Sequence, residues 1–148
     1  MRHFRDEIHI ETPVEQVWAV LRDSSRLHEW TPRSEFSDFS GPLDQVGTTY
    51  SDTTRLMGLE FKMTNEVVEV EPLRLYHEHS ETGPVDTVIR LEPDGDATRL
   101  VVESDYDIAF RMPGFLKDVL AKVWGERNAR QMMQNLKTIA EAEVPVQA

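Results

Sequence analysis

His77-Glu78-His79 is the most conspicuous polar group in this sequence. On a strand the two histidines point the same way, so they could share a metal ion or move protons. No third ligand is fixed nearby, and a closed site needs more than two, so no metal is expected. Two histidines on a solvated face also need no function. Polar groups on otherwise apolar faces are stronger candidates, because burying them carries a cost that a partner or a ligand must offset. Ser104 and Tyr106 meet that description within the alternating run Leu100, Val102, Ser104, Tyr106, Ile108, Phe110. Tyr106 could orient a ligand carbonyl or phenol, or it could bond only to backbone. Arg55, Arg90 and Asn128 could each add a donor. The candidate catalytic residues are therefore Tyr106, His77 and His79. Nucleophile-elbow, phosphate-loop and dinucleotide signatures are absent. The absence of cysteine rules out disulfides, thiolate metal sites and a cysteine nucleophile.

The elements that must position these residues follow from periodicity. Arg5 to Glu11 alternates, with Ile8 and Ile10 on one face, and predicts a half-buried strand. Thr12-Pro13-Val14-Glu15 then suits a helix start, with Thr12 as N-cap, Pro13 first in the helix and Glu15 closing a capping box. Val14, Val17, Trp18 and Leu21 recur at helical spacing. A second short helix is expected over Ser24 to Glu29, closed by Trp30-Thr31-Pro32.

From Phe36 to Phe110 the pattern is strand and turn. Pro93-Asp94-Gly95-Asp96 joins Thr87–Glu92 to Thr98–Phe110 as a hairpin, with positive φ supplied at Asp-Gly. Leu59, Phe61 and Met63 share a face, after which Val67, Val68 and Val70 break the period and predict a bulge near Val67. Gly58 and Gly83-Pro84 mark further turns. Leu56-Met57-Gly58-Leu59 puts apolar groups at a hairpin tip that could gate a pocket, meet a partner or fold onto the last helix.

Pro113 to Ala142 reads as one long helix, with Asp118–Lys122 and Glu126–Arg130 as favourable pairs. Its apolar stripe changes direction between Leu116, Val119, Leu120, Val123 and Met132, Met133, Leu136, Ile139. Gly125 lies at the change, which predicts a kink or π-bulge there. Residues 1–143 are expected to form one α+β domain, with 144–148 as a flexible tail.

A length of 148 residues is enough to bury a core. No apolar run approaches the roughly 18 residues that span a bilayer, and the N-terminus lacks the pattern of a secretory signal. Cytoplasm is the expected location. With 27 acidic against 16 basic residues, the net charge of −11 argues against nucleic acid and anionic membranes as partners. A monomer or a homodimer is expected.

Several segments resemble one known family. They are Ile10-Glu11-Thr12-Pro13-Val14-Glu15-Gln16-Val17-Trp18, Leu21-Arg22-Asp23, Trp30-Thr31-Pro32, Val46-Gly47-Thr48, Val70-Glu71-Pro72, the run Leu91 to Leu100, and Leu136-Lys137 through Ala140-Glu141. The chain resembles the START-related polyketide cyclase/dehydrase superfamily (SRPBCC), the group of the birch-pollen-allergen-like proteins. The resemblance implies a helix-grip fold: a curved seven-stranded antiparallel sheet around a long C-terminal helix, with two short helices after the first strand. It also implies a cavity between sheet and helix.

Lining candidates are then Trp30, Phe61, Met63, Ile89, Leu91, Val102, Leu120 and Trp124, together with Ser104 and Tyr106; each could instead fill a packed core. The resemblance implies binding or carriage of a small hydrophobic molecule such as a lipid, polyketide or aromatic metabolite. The alternatives are a cyclase or dehydratase that uses no metal or nucleotide cofactor, and a co-chaperone-like interaction module. Matching positions are caps, turns and core, so no catalytic motif carries over.

Overall fold

A computed structural model describes residues 2–31, 34–56, 58–81, 85–107, 113–120 and 125–142, with the side chains of residues 56, 59, 61 and 120 outside the description. Strand β1 (Arg2–Ile10) leads into helix α1 (Val14–Leu21), a 3-10 turn (Ser24–Arg26) and α2 (Leu27–Trp30). Six strands follow: β2 (Ser34–Ser37), β3 (Thr49–Leu56), β4 (Leu59–Glu71), β5 (Leu75–Ser80), β6 (Val85–Asp94) and β7 (Ala97–Tyr106). Helices α3 (Gly114–Leu120) and α4 (Arg127–Ala142) close the chain. The sheet order is β1-β7-β6-β5-β4-β3-β2, and every pairing is antiparallel. No helix of the described residues is long and apolar enough to cross a membrane.

Local chemistry sets the register. Gly95 takes φ +61° as the first residue of a two-residue turn, and Asp94 pairs with Ala97 across it. That register aligns Leu91 with Leu100, Ile89 with Val102, Thr87 with Ser104 and Val85 with Tyr106. The bulge expected near Val67 is present as a register shift between Val67 and Glu69. It restores Val70 to the face of Val67 and bends the strand, which is how a long antiparallel strand curls. Gly83 and Pro84 lie outside the described residues, as do residues 144–148.

One end of the concave face is tightly packed. There Ile10, Val17, Leu21, Leu91, Leu100 and Leu136 are 0–2% exposed. Met133, Leu136 and Ala140 form the buried stripe of α4, which packs on α1, α2 and β1. Moving away from that end, the inward residues of β7 go from buried Thr98 and Leu100 to half-buried Val102, Ser104 and Tyr106. Those of β6 do the same, from buried Leu91 and Ile89 to half-buried Thr87 and Val85.

Thr12 does not cap α1, contrary to the sequence reading. Pro13 occupies the N-cap without a side-chain bond. The Thr12 hydroxyl instead donates to the Ala140 carbonyl at 3.2 Å, and the Thr98 hydroxyl donates to the Thr12 carbonyl at 2.7 Å. A buried hydroxyl that can tie β7, the β1–α1 corner and the end of α4 is better used there than on an exposed helix start. Nearby, Lys137 Nζ donates to the His9 carbonyl at 2.6 Å and Glu141 accepts from the Glu11 amide at 2.7 Å, fastening α4 to the end of β1.

The predicted break in the last helix falls at Gly125–Glu126, which are π-helical. A Cβ on Gly125 would lie 2.9 Å from the Tyr106 hydroxyl oxygen and 3.2 Å from Cζ. The glycine therefore permits close approach of the helix to β7. Gly125→Ala is expected to cost about 1–3 kcal/mol, with part of the loss recovered in combination with Tyr106→Phe. Thermal melts of the two single variants and the double variant check this. One charge pairing differs from expectation. Arg130 does not pair with Glu126; its Nε donates to Asp6 on β1 at 3.2 Å, a contact between elements that a helical-spacing rule does not see. Asp118 is engaged by Arg2, and Lys122 lies outside the described residues.

Candidate functional site: a carboxyl held by two phenols inside the sheet

The inner face carries a polar cluster centred on Glu78. Strand β5 turns Tyr76, Glu78 and Ser80 inward, so the glutamate sits between the two histidines yet faces the opposite way. Tyr50 on β3 donates to Glu78 Oε2 at 2.6 Å, and Tyr76 donates to the same oxygen at 2.8 Å. The hydroxyl of Tyr50 thus reaches across β4 to β5. Phe39 stacks on the Tyr50 ring with centroids 5.2 Å apart, and Phe36 lies tilted beside it at 6.0 Å.

Two polar rows extend the cluster. Across β5, β6 and β7 the register places Glu78, Thr87 and Ser104 side by side, with the Thr87 and Ser104 hydroxyls 3.1 Å apart. On β3, Asp52 accepts from Thr54 at 3.0 Å, and Thr54 lies 3.0 Å from the Ser34 hydroxyl. Neither Glu78 nor Asp52 forms a salt bridge with a lysine or arginine among the described residues.

Burial decides the electrostatics. It raises the pKa of Glu78 above the usual glutamate range, while the two phenol donors pull it back by favouring the carboxylate. Burial likewise raises Asp52, with Thr54 and Ser34 opposing. Tyr50 and Tyr76 are pushed up by burial and by the neighbouring Glu78 charge, so both stay protonated donors at neutral pH. Glu78 is deep in the molecule but keeps some solvent-accessible surface.

The sign of the linkage is fixed by the raised value. A carboxyl that binds its proton more tightly in the folded state stabilises the fold fully below its unfolded pKa. That contribution is lost as pH rises from there through the folded pKa. Glu78→Gln keeps an oxygen acceptor for both phenols and removes the buried charge. It is expected to raise stability at neutral pH by about 1 kcal/mol and to flatten the fall with rising pH, as replacing a strained polar site residue commonly does. Urea titrations of both proteins across that pH range check it.

The residues singled out from sequence divide by their place in the fold. Ser104 lies in the inner polar row and Tyr106 beside it, half-buried against Gly125 with its pKa raised by burial. Ile89, Val102 and Met63 face inward, with Val102 and Met63 half-buried, whereas Leu91 at 0% exposed is packed core. Trp30 is 8% exposed within the core, its Nε1 has no hydrogen-bond partner among the described residues, and its carbonyl accepts from Asn135 at 3.4 Å.

His77 and His79 are on the outer face, where Asp86 lies 2.5 Å from His77 Nε2 and 3.6 Å from His79 Nδ1. No group of three metal-ligating side chains occurs among the described residues. Arg55 pairs with Glu35 and Glu60, and Arg90 pairs with Glu103; Asn128 donates to Met132 Sδ at 3.5 Å. Met57, Trp124 and the side chains of Leu56, Leu59, Phe61 and Leu120 lie outside the described residues.

Sequence reading missed Glu78, Tyr50, Tyr76 and Asp52. A hollow of about 90 Å³ between β1 and α4, lined by Asp6, Ile8, Arg130 and Met133, is too small for a ligand pocket of ordinary size.

A curved antiparallel sheet gripping a C-terminal helix, with two short helices after the first strand, is the helix-grip fold. The family model for polyketide cyclase / dehydrase and lipid transport matches residues 1–141, and the chain belongs to that family. No curated protein matches it. Among solved structures, it is similar to the Zhui aromatase/cyclase from Streptomyces sp. R1128 (TM-score 0.81, 18% identity, covering 98% of this chain and 96% of that one). It is also similar to a Thermus thermophilus protein, TTHA0849 (TM-score 0.78, 19% identity, 95% and 98% covered). Ara h 8.0201 shares the fold at TM-score 0.66 and 13% identity, with 96% and 99% covered. At these identities the likeness concerns the fold.

Proposed function

We propose that this protein binds a small, largely apolar molecule in a cavity over the concave face, between the sheet and the C-terminal helix. The polar end of that molecule is held at Glu78, Tyr50 and Tyr76. One observation carries the reading. A deep carboxyl keeps accessible surface and has two phenols donating to one oxygen, while among the described residues it has no salt-bridge partner and its other oxygen accepts no hydrogen bond. A protein gains nothing in stability from such a group, whereas a ligand donor completes it. The half-buried apolar residues around it, Met63, Val102 and Val85, supply the non-polar wall that small-molecule sites use.

Native mass spectrometry of the purified protein, with extraction of whatever co-purifies, is the test. A bound lipid, polyketide or aromatic metabolite is the expected result. A ligand-free mass, together with no rise in melting temperature across a panel of apolar compounds, would overturn the reading.

A second reading, cyclisation or dehydration of such a ligand, is favoured by one specific feature. Glu78 and Asp52 are two carboxyls on one inner face, both with raised proton affinity. Carboxyls whose proton affinity is raised by burial are the kind of group that serves as general acid or base, and the Zhui protein of the same fold is an aromatase/cyclase. Incubation of the extracted ligand, or of its precursor, with wild type and Glu78→Gln separates the two. Turnover by wild type that vanishes in a variant still able to bind makes the protein an enzyme; binding without turnover in both makes it a carrier.

A further inference from the structure

We infer that the inner-face site reads a neutral hydroxyl, phenolic or enolic, on its apolar ligand and rejects carboxylate-bearing amphiphiles. The inference rests on the ligand-binding reading above and names the head group that reading leaves open.

Three observations point to it. First, Glu78 Oε2 already accepts from Tyr50 and Tyr76, so Oε1 is the valence turned to a ligand, and it asks for a donor. Second, Asn65 is 5% exposed and its Nδ2 has no hydrogen-bond partner among the described residues. It pairs with Tyr50 across β3 and β4, and Val67, two residues along the same face, pairs with Glu78. Asn65 and Glu78 are therefore diagonal neighbours on one face, at a Cα spacing of about 7–8 Å, close enough for both side chains to meet one small group. Third, neither Glu78 nor Asp52 has a lysine or arginine partner among the described residues.

A hydroxyl fits this arrangement because it donates and accepts at once. Its hydrogen goes to Glu78 and its oxygen takes the Asn65 amide N–H. A fatty-acid carboxylate would add a third acidic group beside Glu78 and Asp52, with no cation paired to either among the described residues to offset it. An ammonium group would suit the carboxyls but would set its own N–H against that of Asn65, leaving the buried amide unpaired.

The test uses the full chain and probes with one apolar body: naphthol, naphthoate and naphthylmethylamine, titrated by calorimetry, with Nile red as a head-group-independent reporter of the cavity. Naphthol is expected to bind at least about tenfold more tightly than either charged probe at neutral pH. Asn65→Leu and Glu78→Gln are each expected to weaken naphthol by about tenfold while Nile red affinity holds. Either variant suffices if it melts cooperatively at or above the wild-type temperature. Tighter binding of naphthoate or naphthylmethylamine, or unchanged naphthol affinity in a folded variant, would overturn the inference while leaving the cavity intact. Failure of Nile red and all three naphthalenes to bind wild type would remove the ligand-binding reading, and this inference with it.

Discussion

Replacing Tyr50 and Tyr76 together by phenylalanine is expected to destabilise the protein by about 2–4 kcal/mol at mildly alkaline pH and by under about 1 kcal/mol near pH 4. Both hydroxyls donate to the same Glu78 oxygen, at 2.6 and 2.8 Å. A donor to a carboxylate favours the charged form, so its removal raises the folded-state pKa of Glu78 beyond what burial already does. The cost is therefore present where Glu78 must ionise, and it disappears below the unfolded-state value, where the carboxyl is protonated in both states. Urea unfolding at the two pH values measures it. An equal loss at both would show that the phenols serve packing alone. Each single variant should lose less than half of the total, because the remaining phenol still satisfies the oxygen.

Leu136→Ala is expected to cost about 3 kcal/mol and to lower the melting temperature by about 6–12 °C. Leu136 is 2% exposed and sits in the stripe by which α4 meets the packed end of the sheet. Neighbours there, Ile10, Leu91 and Leu100, are strand-anchored and cannot close around a missing isobutyl group. Phe115→Ala on α3 is the contrast. At 69% exposed, that ring should change stability by no more than about 0.5 kcal/mol despite its greater size. Thermal denaturation of the two variants side by side checks the pair. Equal losses would contradict the assignment of α4 as the helix that holds the sheet.

The fold was legible because its signals are local. The alternation of β7 from Leu100 to Tyr106, the turn at Gly95 and the broken valine run at Val67–Val70 each follow from neighbours in sequence. Gly125 was legible for the same reason: an apolar stripe cannot change direction on a regular helix without an extra residue in a turn.

The site was legible only where strand phase was. Ser104 and Tyr106 share a strand with clear alternation, so their inward direction could be read. Leu75-Tyr76-His77-Glu78-His79-Ser80 contains one aliphatic residue, and nothing within it says which face is inside. Its phase is fixed by pairing with β4, beyond a bulge, and with β6, where Thr87 meets Glu78. The histidines drew attention as a pair, yet the residue between them is the one turned inward. Tyr50 was hidden by distance, since its partner Glu78 lies across β4 on β5. The Thr12 hydroxyl went to Ala140, a residue 128 positions away, which no capping rule can anticipate.

The chain's three tyrosines, Tyr50, Tyr76 and Tyr106, all face the concave side, and His77 and His79 face the other. A sample labelled at tyrosine and histidine rings, titrated with naphthol and followed by NMR, therefore reads both faces at once. Ligand held at Glu78 predicts large shifts of the Tyr50 and Tyr76 ring signals that saturate together, with His77 and His79 unmoved. Shifts confined to the histidines, with Tyr50 and Tyr76 unchanged at saturation, would contradict the account.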